Sequence, residues 1–170
     1  MNDLLRSTAE ALSDHPELAV FLISLLPIFE IRGGVIAGLA LFGMSVPETL
    51  LWGFLGNIAS VTPVLLFLEP ISKWLYGNRY ADRLFHWLFA RAERKAAEVN
   101  RWGVLGLTIF VGIPLPGTGA WSGAIVAVFL GMHRWRALAA CYAGVVMAGI
   151  IVTVVTLGGM AGARTLTNLP

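Results

Sequence analysis

Two charged side chains stand inside the apolar part of this sequence, Glu30 and Arg32, and Gly33-Gly34 follow at once. A charge at the bilayer centre costs about 2.5–3.5 kcal/mol on insertion scales, so such residues usually face an interior or a water-filled path. A carboxylate can carry a proton, and burial favours its neutral form. A guanidinium stays charged and grips phosphate or carboxylate with a planar fork. On one helix, positions two apart diverge, because same-face neighbours are three or four apart. In a turn beside two glycines both would point into one cavity. The expectation is a turn in which Glu30, Arg32, Gly33 and Gly34 bind substrate, with Glu30 as the proton-coupling carboxylate. The competing reading is an ion pair that only fixes a hairpin tip.

A second constellation is Pro114-Leu115-Pro116-Gly117-Thr118-Gly119-Ala120-Trp121-Ser122-Gly123. Pro114 and Pro116 end one half-helix, since proline lacks a backbone donor and clashes with the preceding turn. Thr118 is expected to cap the next half-helix through its hydroxyl. Half-helix N-termini at membrane depth offer donors and a positive dipole end to anionic groups. Gly117, Gly119, Trp121 and Ser122 complete this set, with Trp121 as an apolar wall. The alternative is close packing through Gly119-x-x-x-Gly123. The pattern is not a phosphate-binding P-loop, because no Gly-Lys-Ser/Thr ending follows.

Little else in the chain suggests chemistry. No Ser/His dyad, aspartate pair or metal cluster occurs in the apolar blocks, so no catalytic residue and no enzyme activity is expected. His15, His86 and His133 lie far apart and Cys141 is the single cysteine, so neither a metal site nor a cofactor is expected. The composition explains why two charges matter. The 170 residues are 57% hydrophobic and 13% charged, with mean hydropathy +0.76. Soluble domains carry about 25% charge. The class is an integral membrane protein, and a nucleic-acid partner is not expected.

The remaining charges mark sidedness. They fall in the first 17 residues, in 69–101, at Arg134 and Arg136, at Arg164, and at Glu48 in a turn. Runs 49–68 and 137–163 are long enough to cross a bilayer, which takes about 20 apolar residues. Runs 18–29 and 33–47 are too short. Residues 18–68 and 103–163 also share an order of features: an apolar run ending in proline, a glycine-rich stretch, a helix closing on Gly-Met, a short loop and a long uncharged helix. At an offset of 88 residues Gly43-Met44 falls on Gly131-Met132 and Gly56 on Gly144. Non-helical backbone at membrane depth survives only when buried or lining a cavity. Blocks 18–44 and 103–132 therefore read as re-entrant hairpins rather than kinked spans. With that topology the Arg134–Arg136 loop and the basic segment 70–101 both lie in the cytoplasm, as the positive-inside bias requires.

The expected fold is an all-α integral membrane protein. Two inverted repeats (18–69 and 103–163) each hold a re-entrant helical hairpin plus a transmembrane helix. An amphipathic cytoplasmic helical linker (70–101) joins them, with Phe85, Leu88, Phe89, Ala92, Ala96 and Val99 on one face. Residues 1–17 form a surface segment, and the whole is one membrane domain. Asn57, Ser60, Thr62, Tyr142 and Thr153 are expected to satisfy themselves by hydrogen bonds between helices. Gly34-x-x-x-Gly38 and Gly158-x-x-x-Gly162 suggest close contacts, and two hairpins with two crossings suggest a homodimer in contact with membrane lipids.

Pro27-Ile28-Phe29-Glu30-Ile31-Arg32-Gly33-Gly34, followed by Gly38, resembles the Glu-x-Arg-Gly signature of the putative small multi-drug export protein family. Pro114 to Gly123 resembles that family's second signature, and the likeness covers about residues 18–160. The family is distantly similar to the DedA membrane proteins, which implies two opposed re-entrant hairpins and movement of phosphorylated polyprenyl lipids. Glu30 matches the acidic residue of the first DedA hairpin. The second hairpin here lacks an arginine; the nearest are Arg134 and Arg136. The expected function is a multi-pass inner-membrane transporter, proton-coupled, moving an amphipathic anion such as a polyprenyl-phosphate lipid. Proton-driven export of small hydrophobic cations and a non-transporting scaffold or assembly role are the alternatives.

Overall fold

The computed structural model describes residues 14–74, 102–115 and 117–167. Among them every regular element is helical. Helix α1 runs Pro16–Leu25 and α2 runs Glu30–Ile36, continuing into a π-helical stretch Ala37–Leu41. Helix α3 is Val46–Trp74, α4 Gly103–Gly112, α5 Ala120–Phe129 and α6 Arg134–Thr167. The expected amphipathic linker lies outside the described residues beyond Trp74, as do residues 1–13. Within 70–74 the expected boundary shifts, because α3 continues through Pro70 to Trp74.

Helix length separates two classes of element. Within α3 and α6, Val46–Leu68 and Arg134–Thr165 are long and apolar enough to cross a membrane, with hydropathies of 1.7 and 2.4. The ten-residue helices α1, α4 and α5 rise only about 15 Å at 1.5 Å per residue. A bilayer core is about 30 Å thick, so none of the three can span it alone. Ile150, Val154, Val155 and Leu157 on α6 are exposed, an apolar surface suited to lipid.

The order of elements repeats. The second short arms end at Leu41 and Phe129, and the long helices begin at Val46 and Arg134, each pair 88 residues apart. Gly43 and Gly131, also 88 apart, both adopt a left-handed backbone, with φ +63° and +62°. Glycine reaches that conformation without the steric penalty of a Cβ, which is why it so often follows a helix end. The Met132 N–H bonds the Ala127 carbonyl and the Gly131 N–H the Val128 carbonyl, a Schellman closure. In the first copy the Met44 N–H reaches Gly38, one residue further back, because the π-helical stretch holds an extra residue.

The chain divides into two compact units, one of residues 1–57 with 149–170, the other of 58–148. In the first, α1 packs on α2, and glycines permit the approach. A Cβ on Gly34 would collide with Ser24 of α1; towards α3, a Cβ on Gly38 would lie 2.5 Å from Thr49 Cγ2, and one on Gly53 3.3 Å from Ile31 of α2. Val20, Ile31 and Val35 are buried there. In the second, α4 packs on α5. A Cβ on Gly123 would lie 2.5 Å from Val111 Cγ2, so Gly123 lets α5 approach α4, while Gly119 precedes the helix. Leu107, Val111, Val126, Cys141 and Val145 form its core.

Candidate functional site

The first predicted set begins where α1 stops. The chain turns through Leu26–Phe29, with the Phe29 and Glu30 N–H groups donating to the Leu26 carbonyl at 3.2 and 2.9 Å. Proline at position 27 costs little here, since the turn asks nothing of its missing N–H. The Gly33 N–H then donates to the Phe29 carbonyl at 2.9 Å, so the next helix is already closing. This corrects the sequence reading: Glu30, Arg32, Gly33 and Gly34 lie in α2, not in the turn before it. The turn is completed by four earlier residues. The helix tolerates both glycines because they sit where neighbours press in. A Cβ on Gly33 would meet Phe29 Cβ at 2.7 Å, and one on Gly34 would collide with Ser24 Oγ.

Glu30 opens α2 with φ 51°, the one described non-glycine residue with positive φ. A side chain in that conformation costs roughly 1–2 kcal/mol. Such strain concentrates at functional sites. Glu30 is 6% exposed and Arg32 half-buried. Their unequal burial fits two positions that diverge on one helix.

Three further polar residues are buried in the first unit, two of which sequence reasoning missed. Ser24 on α1 is 0% exposed, and Thr49 and Asn57 on α3 are each 1% exposed. Ser24 Oγ, Thr49 Oγ1 and both side-chain amide atoms of Asn57 have no hydrogen-bond partner. The sequence signal for Ser24 was a lone hydroxyl one residue before the end of the first short arm. Asn57 was expected to bond a neighbouring helix, and it does not.

The second predicted set occupies the loop between α4 and α5. Gly117 and Gly119 have φ 79° and 137°. The Thr118 hydroxyl reaches backward rather than forward. It donates to the Ile113 or Leu115 carbonyl at 2.8 or 2.9 Å and accepts the Leu115 N–H at 3.2 Å. These bonds tie the loop back on itself. Gly119 is the cap residue of α5 and, as a glycine, brings no side chain of its own to that helix start. Ser122 Oγ donates to the Gly119 carbonyl at 3.2 Å. The Trp121 indole N–H donates to the Ser60 hydroxyl, so this ring is an anchor on α3 as well as an apolar surface. Pro114 lies in the loop, and Pro116 lies outside the described residues.

Other polar residues behave as structural. Thr62 Oγ1 and Tyr142 OH are 2.7 Å apart, joining α3 to α6 as expected. Thr62 also donates to the Ile58 carbonyl, and Thr153 donates to Gly149 within its own helix. Two concavities of about 410 and 180 Å³ flank the Gly131–Arg134 turn, and no residue of either predicted set lines them. No group of metal-ligating side chains occurs among the described residues.

The stretch that runs from Glu30 through α5 into α6 carries the family relationship. Residues 30–151 match the family described as "Putative small multi-drug export protein". The chain belongs to that family. No curated protein matches it, and no solved structure does. The family match starts on Glu30 itself, so both predicted sets fall inside the shared region of this export family. With two helices of membrane-spanning length, the export-family chain is a membrane protein.

Proposed function

We propose that this chain is a proton-coupled, multi-pass transporter of the inner membrane that moves an amphipathic anion, such as a polyprenyl-phosphate lipid. The observation that carries the reading is Glu30, a buried carboxyl on a strained backbone at the first residue of the family-matched region. A buried carboxyl is readily neutralised by a proton, which makes it a carrier. Arg32 supplies a fixed positive charge two residues on, suited to a phosphate. The α5 start, with a glycine at its cap, adds backbone donors of the kind that bind anions.

Each short helix pair is re-entrant in this reading, entering and leaving on one face of the bilayer. The following long helix crosses, so the two repeats begin on opposite faces and are inverted. Support comes from arm length and from Arg134 and Arg136, which lie in the first turn of α6 rather than in a loop and which the re-entrant topology puts on the cytoplasmic side.

Export of small hydrophobic cations is the second reading, and the family description favours it. There Glu30 contacts the cation and Arg32 neutralises Glu30 when the site is empty. The test is uptake into proteoliposomes under an imposed pH gradient, with a polyprenyl phosphate in one arm and a lipophilic cation in the other. Glu30→Gln and Arg32→Ala should each abolish movement of the phosphate while membrane expression stays normal. Wild-type rates in both variants sink the transporter reading. Cation uptake that Glu30→Gln alone removes selects the second.

A further inference from the structure

We infer that a cavity at the start of α6 holds the phosphate headgroup of an anionic lipid. The smaller of the two concavities, about 180 Å³, lies within the second unit. Leu65 of α3, Val128 of α5, and Arg134 and Ala137 of α6 line it. Roughly six waters of about 30 Å³ each would fill that volume, so the few heavy atoms of a phosphate group fit. Leu65 and Ala137 are 3% and 1% exposed and give the cavity an apolar floor. The larger concavity, about 410 Å³, is lined by Gly131 to Trp135 and shares Gly131, Met132 and Arg134 with the smaller. No residue of either predicted set lines these spaces, so this site goes beyond the transport reading above.

Its level along the helices sets the source of the ligand. Leu65 lies within a turn of the end of the apolar span Val46–Leu68, and Arg134 opens the span Arg134–Thr165. A cavity lined by both residues therefore lies where one span ends and the other begins. That level is the headgroup layer of one bilayer face. Trp135, 71% exposed, marks the same level, since indole rings concentrate at the membrane interface. Basic pockets between membrane helices at that depth take anionic lipid headgroups.

Arg134 supplies the charge. It is exposed, and no carboxylate among the described residues lies within ion-pair distance of it. Its guanidinium is a planar fork matched to two phosphate oxygens. The hydrogen-bond ladder of α6 begins with the Ala137 N–H on the His133 carbonyl at 3.0 Å. The N–H groups of Arg134, Trp135 and Arg136 precede it and add partial positive charge at this turn. Arg136 provides an internal comparison. It carries the same charge on the same turn yet lines neither concavity, because residues two apart on a helix do not share a face. Diffuse attraction of anionic lipid to a basic surface would use both arginines alike. A headgroup seated in the cavity uses Arg134.

The experiment is native mass spectrometry of the full chain in neutral detergent, titrated with phosphatidylglycerol and, in a second arm, with phosphatidylcholine of the same acyl chains. Wild type should retain phosphatidylglycerol in preference to phosphatidylcholine. Arg134→Ala should weaken that binding about tenfold, which corresponds to about 1.4 kcal/mol. Arg134→Lys, which keeps the charge but not the fork, should fall between. Arg136→Ala, which removes the same charge, should bind like wild type. Equal losses in Arg134→Ala and Arg136→Ala overturn the inference, because surface charge alone would then account for binding. Unchanged affinity in Arg134→Ala overturns it as well, as does equal retention of the two lipids. Displacement of phosphatidylglycerol by equimolar inorganic phosphate would make the ligand a dissolved anion and also overturns it. The readout involves neither a proton gradient nor movement across the bilayer, so its outcome is separate from that of the transport reading.

Discussion

Gly56 and Gly144, 88 residues apart, do the same work in their own units. Each lets a carbonyl of a first short arm approach a long helix. A Cβ on Gly56 would run into the Phe21 carbonyl, and one on Gly144 would lie 2.8 Å from the Thr108 carbonyl. Backbone atoms cannot swing aside as a side-chain tip can. Gly56→Ala and Gly144→Ala should therefore each destabilise by about 1–3 kcal/mol, the cost of overpacking. That loss outweighs the helix propensity alanine gains, about 1 kcal/mol. Gly158→Ala is the control, since nothing lies within 4 Å of that position. Thermal unfolding in detergent, read for the three variants side by side, checks the contrast. An unfolding midpoint for Gly144→Ala as high as that of Gly158→Ala would refute the close approach.

Gly43 and Gly131 test a different property. A Cβ at either meets nothing within 4 Å, yet both have positive φ. Alanine there should cost about 1–2 kcal/mol by backbone strain alone. Asparagine, which tolerates the left-handed region, should recover part of it. Equal stability of the alanine and asparagine variants would show that the turns, not the glycines, set the conformation.

The repeat was legible because its markers are local. Gly-Met after an apolar run signals a left-handed helix end, and both copies adopt one. The long helices were legible from uncharged runs. The position of Glu30 was not. A proline and two glycines around a charged pair look like one turn, and only the backbone bonds from Leu26 and Phe29 show that the turn ends before Glu30. Ser24 and Thr49 escaped for another reason. A hydroxyl in an apolar helix usually bonds its own preceding turn, as Thr62, Thr108 and Thr153 do. Nothing in the sequence separates those from the hydroxyls that do not.

Trp121 and Ser60 form the side-chain hydrogen bond that fixes the start of α5 against α3. The pair should show a coupling of about 0.5–1.5 kcal/mol, the net worth of one such bond. A double-mutant cycle with Trp121→Phe and Ser60→Ala measures it. If Trp121 serves the substrate alone, the two changes add without coupling and Ser60→Ala leaves transport untouched. The structure predicts the reverse: Ser60→Ala perturbs transport because it frees the ring that helps to define the Gly117–Ser122 loop.

Topology decides whether the short arms act as hairpins within the bilayer. In a Cys141→Ala background, the thiol lost is buried, and its removal trims a small apolar contact rather than a reactive site. Single cysteines placed at both ends of 18–44 and of 103–132 should then label from one side for each block. Labelling from opposite sides at the ends of a block would make it a span. The arms argue against that outcome. A ten-residue α4 followed by Pro114, and a ten-residue α1 followed by Pro27, each provide about half the rise a bilayer core requires. In a hairpin and in a kinked span alike, the loop at Gly117–Gly119 would sit within the hydrocarbon, where irregular backbone persists only under protein cover or beside water. Thr118 already satisfies part of that loop from within, donating to one of its carbonyls and accepting its Leu115 N–H. Thr118→Val should therefore loosen the loop and raise cysteine labelling at position 117, with little change at the ends of the block.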